Sequence, residues 1–118
     1  MAASVTTTIT TVISGLGNED TMTVQFSPAA PTVSFHSYKT ITTPSTPERL
    51  DFGALTTITG IWIRAIGYDL QIDPTYSSSF TAKLLVPAGQ AAYFRPASGA
   101  SVYVDCASAG SYEYVVLG

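Results

Sequence analysis

The sequence predicts an all-β fold, an antiparallel β-sandwich or jelly-roll-like barrel built as a single domain, and three observations predict it. Apolar residues recur with a period of two almost everywhere, as strands with one buried face require. Clusters of Gly, Pro, Ser and Asp interrupt the pattern every ~8–12 residues, the spacing of antiparallel sandwiches. The composition is rich in hydroxyl residues, with 17 Thr and 13 Ser, while Asp, Glu, Lys and Arg together make up only 11%. Threonine's branched Cβ suits a pleated surface, and a Thr-rich surface costs less to desolvate than one covered in Lys and Glu.

The elements follow in order. Val5, Thr7, Ile9, Thr11 and Ile13 alternate with Thr6, Thr8, Thr10 and Val12 as a long strand, closed by the turn cluster Gly15–Asp20. Met22, Val24 and Phe26 mark one face of a second strand, ended by Ser27–Pro31. Thr32–Ile41 is a third. Thr42–Pro47 holds two prolines and is excluded from strand interior because proline cannot donate to a ladder. Leu50 and Phe52 make a short strand ending at Gly53, and Gly60–Ile66 (GIWIRAI) reads as a central strand buried on both faces. Asp69–Asp73 is next. Phe80, Ala82, Leu84 and Val86 share one face before the Pro87–Gln90 turn. Ala91–Arg95, Val102–Cys106 and Tyr112–Leu117 complete the set, separated by Pro96–Gly99 and Ser108–Ser111.

A chain of 118 residues fits one domain and buries about two-thirds of its unfolded surface, so it needs no disulfide or metal to hold it. Residues 1–14 form a Thr-rich strand or arm and residues 15–118 the β-sandwich. The arm is either the first strand of the domain's own sheet or a strand that pairs with the sheet edge of an adjacent subunit, where backbone bonds supply affinity.

Composition excludes several function classes. The net charge is −3, and Lys39, Arg49, Arg64, Lys83 and Arg95 are scattered singly, so no basic stripe exists to displace counterions from nucleic acid. The opening residues lack a positive n-region and an unbroken apolar run, which argues against a membrane anchor or secretion signal. Cys106 is the single cysteine, so no intrachain disulfide forms, and it packs as a small hydrophobe. His36 is the single histidine and reads as a surface or interface residue, with no nucleophile elbow and no orienting partner motif. Zinc has too few soft ligands, and Asn18–Asp20 and Asp69 with Asp73 read as turn chemistry rather than calcium sites. No enzyme and no cofactor are expected.

The order LDFG (Leu50–Gly53), GIWIRAIG (Gly60–Gly67), LLVPAGQAAYFRP (Leu84–Pro96) and VYVDCASAGSYEYVVLG (Val102–Gly118) resembles small β-rich virion proteins of tailed bacteriophages. The likeness covers residues 48–118, with Ala65 standing where such proteins often carry Asn. What the resemblance implies is a structural role. The chain would be a capsid decoration, or cement, protein that stabilises the head by binding neighbouring capsid subunits, or else a neck or tail component. The implied partners are the major capsid protein or other virion subunits and further copies of itself, as a homotrimer or homodimer. The implied location is the virion, assembled in the host cytoplasm. The interface candidates are Val5, Thr7, Ile9, Thr11 and Ile13 on the arm, with Trp62, Tyr68 and Tyr76 as aromatic anchors. The rival reading is a lectin-like carbohydrate-binding module that uses Trp62, Tyr68, Tyr76 and Asp73 for sugar.

Overall fold

Alternation of inward and outward side chains organises the chain into ten strands, with no helix, among the described residues of a computed structural model. The structure describes every residue except 1–3, 16, 18–19 and 27–32. Part of the expected Gly15–Asp20 turn and the Ser27–Pro31 stretch, with Thr32, therefore lie outside the described residues. The chain divides into two compact units, Met1–Thr32 and Val33–Gly118.

The first unit is a hairpin. Strand β1 (Thr7–Ile13) pairs antiparallel with β2 (Asp20–Phe26), Thr7 opposite Phe26 and Ile13 opposite Asp20. Gly15 and Gly17 both take positive φ, which L side chains rarely adopt. The unit extends well past residue 14, so the Thr-rich arm supplies only one of its two strands.

The second unit holds β3 (Ser34–Ile41), β4 (Glu48–Arg49), β5 (Gly60–Ile66), β6 (Leu70–Tyr76), β7 (Leu84–Val86), β8 (Ala91–Phe94), β9 (Ser101–Asp105) and β10 (Gly110–Leu117). They form two four-stranded antiparallel sheets, in the orders β3-β10-β5-β8 and β4-β9-β6-β7. Four of the pairings are nested: β3 with β10, β4 with β9, β5 with β8, and β6 with β7. The second unit thus runs as one long antiparallel ribbon folded over itself, with the contacts of β10 to β5 and β9 to β6 closing each sheet. At the open end of the ribbon, Val33 and Gly118 exchange two backbone hydrogen bonds of 2.9 Å.

The period-two pattern places the core between the sheets. Ile41, Ile61, Ile63, Ala65, Tyr112, Tyr114 and Val116 come from one sheet; Leu70, Ile72, Val86, Val102 and Val104 come from the other. Leu50 and Cys106 join them from the connections. Each large apolar side chain buried there contributes about 1.5–3 kcal/mol. Tyr114 is accommodated there because it donates its hydroxyl hydrogen to the Asp51 carbonyl at 2.8 Å.

Three sequence expectations change. Strand β5 lies inside its sheet, yet Arg64 is exposed and Trp62 and Ile66 are half-buried, because only one face of that sheet meets the core. The short strand sits at Glu48–Arg49 rather than Leu50–Phe52, since Asp51 Oδ1 accepts the Gly53 N–H at 2.8 Å and turns the chain there. Phe80 and Ala82 do not continue β7. A sharp turn, in which the Ser79 N–H bonds the Ser77 carbonyl at 2.7 Å, precedes them, and the Thr81 N–H is taken by a side chain of β6. Pro74 stands inside β6, where the ladder to β9 is interrupted between Asp73 and Tyr76 and no donor is required of it.

Removing the Tyr114 hydroxyl leaves the Asp51 carbonyl without this donor. Tyr114→Phe should therefore lower stability by about 1 kcal/mol with an unchanged m-value in urea unfolding.

Candidate interaction surfaces

The hairpin has two chemically different faces. In an antiparallel pair, residues opposite one another share a face. One face carries Thr8, Thr10 and Val12 against Gln25, Thr23 and Thr21. There, Thr23 Oγ1 bonds Thr10 Oγ1 at 3.4 Å and Gln25 Nε2 donates to Thr8 Oγ1 at 3.2 Å. The other face carries Thr7, Ile9, Thr11 and Ile13, with Val24 opposite Ile9 and Met22 opposite Thr11. Ile9, Met22 and Val24 remain 48%, 51% and 55% exposed. The four arm residues Thr7, Ile9, Thr11 and Ile13 thus lie together on the apolar face, while Val5 precedes the strand and is half-buried. The alternation in the sequence groups the β1 residues of this face, and the register adds Met22 and Val24.

On the sandwich, the sheet β3-β10-β5-β8 turns a second surface outward. The register sets His36, Val115, Trp62 and Tyr93 in one row across the four strands, and Tyr38, Glu113, Arg64 and Ala91 in the next. Glu113 sits at the centre. Its Oε2 lies 2.9 Å from His36 Nε2 and its Oε1 lies 3.2 Å from an Arg64 guanidinium nitrogen. Gly60 carries no side chain because a Cβ there would collide with the Tyr93 hydroxyl. Trp, Tyr and Arg are the side chains most enriched at the energetic centres of protein contacts. No sequence signal pointed to His36, Arg64 and Glu113 as a group; only the strand register brings them together.

The remaining aromatic candidates lie apart. Tyr68 is exposed in the turn after β5, and Tyr76 in the other sheet stacks on Tyr103 with ring centroids 3.6 Å apart. Trp62 and Tyr76 therefore belong to different sheets. Asp73 is almost completely buried. Its Oδ2 accepts the Thr81 N–H at 2.9 Å, its Oδ1 accepts the Thr75 N–H at 3.0 Å, and Lys83 Nζ stands 3.6 Å away. The carboxylate thereby pins the 77–83 connection onto β6. Asp69 is exposed and accepts the Ala88 N–H at 2.9 Å, so the two aspartates do separate structural work.

Burial alone would raise the Asp73 pKa, but the Thr81 and Thr75 N–H donors and the Lys83 ammonium outweigh it and hold the carboxyl below its ordinary 3.8. Burial pushes the Cys106 thiol upward, and the nearby carboxylates of Asp105, Glu48 and Asp69 add to it. His36 sits on the outer sheet face while Cys106 is in the core. No group of three or more His, Cys, Asp or Glu side chains that could hold a metal ion occurs among the described residues.

Comparison with protein-family models, with curated proteins and with solved structures gives no match to this chain.

Two outcomes follow from the buried groups. Because the folded Asp73 pKa is depressed, its stabilisation is complete above the unfolded-state value and is lost as pH falls through the folded one. Asp73→Asn should cost about 1–2 kcal/mol at pH 7, and urea titrations should show that difference shrinking below about pH 4. Cys106 should resist iodoacetamide in the native protein and alkylate fully in denaturant, as mass spectrometry of the intact chain would report.

Proposed function

We propose that this chain is a viral structural protein, a capsid decoration or cement protein of a tailed bacteriophage that stabilises the head by binding neighbouring capsid subunits. The observation that carries the reading is the amphipathic hairpin. A lone two-stranded hairpin is marginal in water, and stability comes when its apolar face or its edges are covered. Burying the exposed halves of Ile9, Met22 and Val24 is worth about 3 kcal/mol, so a docking partner supplies what the hairpin lacks. In this reading the arm packs on a neighbouring subunit and the sandwich presents its Trp62 and Tyr38 face to the lattice.

The winding of the second unit supports the same reading by fold analogy. Counted within the unit, its sheets run 1-8-3-6 and 2-7-4-5, an order we read as that of a jelly roll. Jelly rolls serve as viral capsid domains and as lectin domains. A surface poor in charge is cheap to desolvate, and a shell repeats one contact many times, so modest contacts suffice. Cement proteins act by mass action, binding the assembled lattice and not the free subunit.

The test is reconstitution on particles that lack the protein. Wild-type chain should saturate at hundreds of copies; a dozen or fewer would assign a neck or tail position instead. The double substitution Ile9→Asp and Val24→Asp should weaken particle binding at least ~100-fold. It should leave the melting of the Val33–Gly118 sandwich within about 2 °C of wild type. Unchanged particle binding would remove the arm from the interface.

A further inference from the structure

The five cations of the chain are unevenly used. Arg64 pairs with Glu113 and Lys83 with Asp73, while Lys39 stands on strand β3. Arg49 and Arg95 have no ion pair among the described residues, and both line one groove of about 310 Å³. Asp51 lies next to Arg49 on an adjoining surface, where its Oδ1 accepts the Gly53 N–H. Two arginines without an ion pair among the described residues thus line one groove of a chain poor in charge.

The groove is built rather than incidental. One wall is the β4–β5 connection, with the Leu55 N–H bonded to the Phe52 carbonyl at 3.2 Å. Thr59 fixes the far end of that connection through its N–H and hydroxyl, which both donate to the Leu117 carbonyl at 2.7 and 3.2 Å. The other wall is the β8–β9 turn, closed by the Ala100 N–H on the Ala97 carbonyl at 3.0 Å. Phe52, Leu55 and Ile58 rest on the core beneath it, and Pro96 is buried. Thr56, Thr57 and Ser98 supply hydroxyls along the rim.

We infer that the Arg49–Arg95 groove binds an acidic peptide segment of a partner protein, a carboxylate side chain facing the guanidinium groups and an apolar neighbour lying on Phe52, Leu55 and Ile58. A guanidinium offers a rigid fork of donors that matches a carboxylate bidentately. A bare inorganic oxyanion would satisfy the arginines and leave the apolar floor wet. An acid carried on an apolar peptide fills both halves, and the volume lies at the lower end of the ~300–1,000 Å³ typical of ligand pockets. The inference stands on the groove alone and holds whether or not the chain binds a virion.

The test is a titration of the ¹⁵N-labelled full chain with three probes: a Glu-Leu-Glu-Phe-Glu peptide, its Gln-Leu-Gln-Phe-Gln counterpart, and inorganic sulfate. The acidic peptide should shift amides in the segments 49–58 and 97–100, weaken at least tenfold in Arg49→Gln/Arg95→Gln, and weaken with added salt. Both arginines are exposed, so the variant should keep the wild-type spectrum elsewhere. Four results would overturn the inference: no binding, equal binding of the glutamine peptide, acidic-peptide binding that survives the double substitution, or shifts with sulfate alone. Particle binding, measured separately, reports on the virion reading and leaves this titration unaffected.

Discussion

Everything else in the sandwich depends on the antiparallel register between β5 and β10. Seven residue pairs, from Ser111 opposite Ile66 to Leu117 opposite Gly60, hold those strands at the middle of their sheet. Because side chains alternate strictly, this register sends Ile61, Ile63, Tyr112, Tyr114 and Val116 into the core and Trp62, Arg64, Glu113 and Val115 outward. A slip of one residue would exchange the two sets and put Glu113 into the core. The core and the Trp62 face are therefore two consequences of one pairing. The nested ribbon carries the same constraint outward to β3 and β8 and across to the second sheet.

The scarcity of charge gives each ionisable group an unusual weight. Asp73 spends its charge on two backbone donors and one lysine, fastening a long connection onto β6. Glu113 bridges two cations from two neighbouring strands. Three other carboxylates accept backbone amides: Asp51 that of Gly53, Asp69 that of Ala88, and Asp105 that of Cys106. With charge this scarce, two arginines lining one groove are informative, where in a charge-rich surface they would be ordinary.

Strand existence was legible because burial imposes period two on the residues themselves. The Thr42–Pro47 break was legible from proline's missing donor, and the Thr7–Ile13 face from alternation alone. What stayed hidden has a common cause. Asp51 and Asp73 accept backbone N–H groups two and eight residues away, and those local bonds end or redirect strands that the apolar pattern would have continued. Strand β5 showed an apolar run with few polar breaks, and sequence cannot tell whether its second face meets a core or stays half-open. The Glu113 cluster joins residues 77 positions apart through His36, and no spacing rule reaches that far. The Arg49–Arg95 groove is hidden for the same reason, since it exists only once two connections are brought to one end of the ribbon.

The hairpin and the sandwich obey different thermodynamics. The sandwich closes a core from both sheets, so its order comes from within. The hairpin has cross-strand bonds on its Thr face and a half-exposed apolar face, and its two strands pair only with each other among the described residues. Fixing its backbone costs about 1–2 kcal/mol per residue, against which one face of small side chains gives a modest return. Ordering and docking of such an element are one linked equilibrium, so a partner that covers the apolar face both binds the hairpin and stabilises it. Edge addition alone would satisfy backbone groups and leave Ile9, Met22 and Val24 wet. Face packing alone would bury them and leave two strand edges open. A partner that presents a sheet edge beside an apolar layer would satisfy both requirements at once.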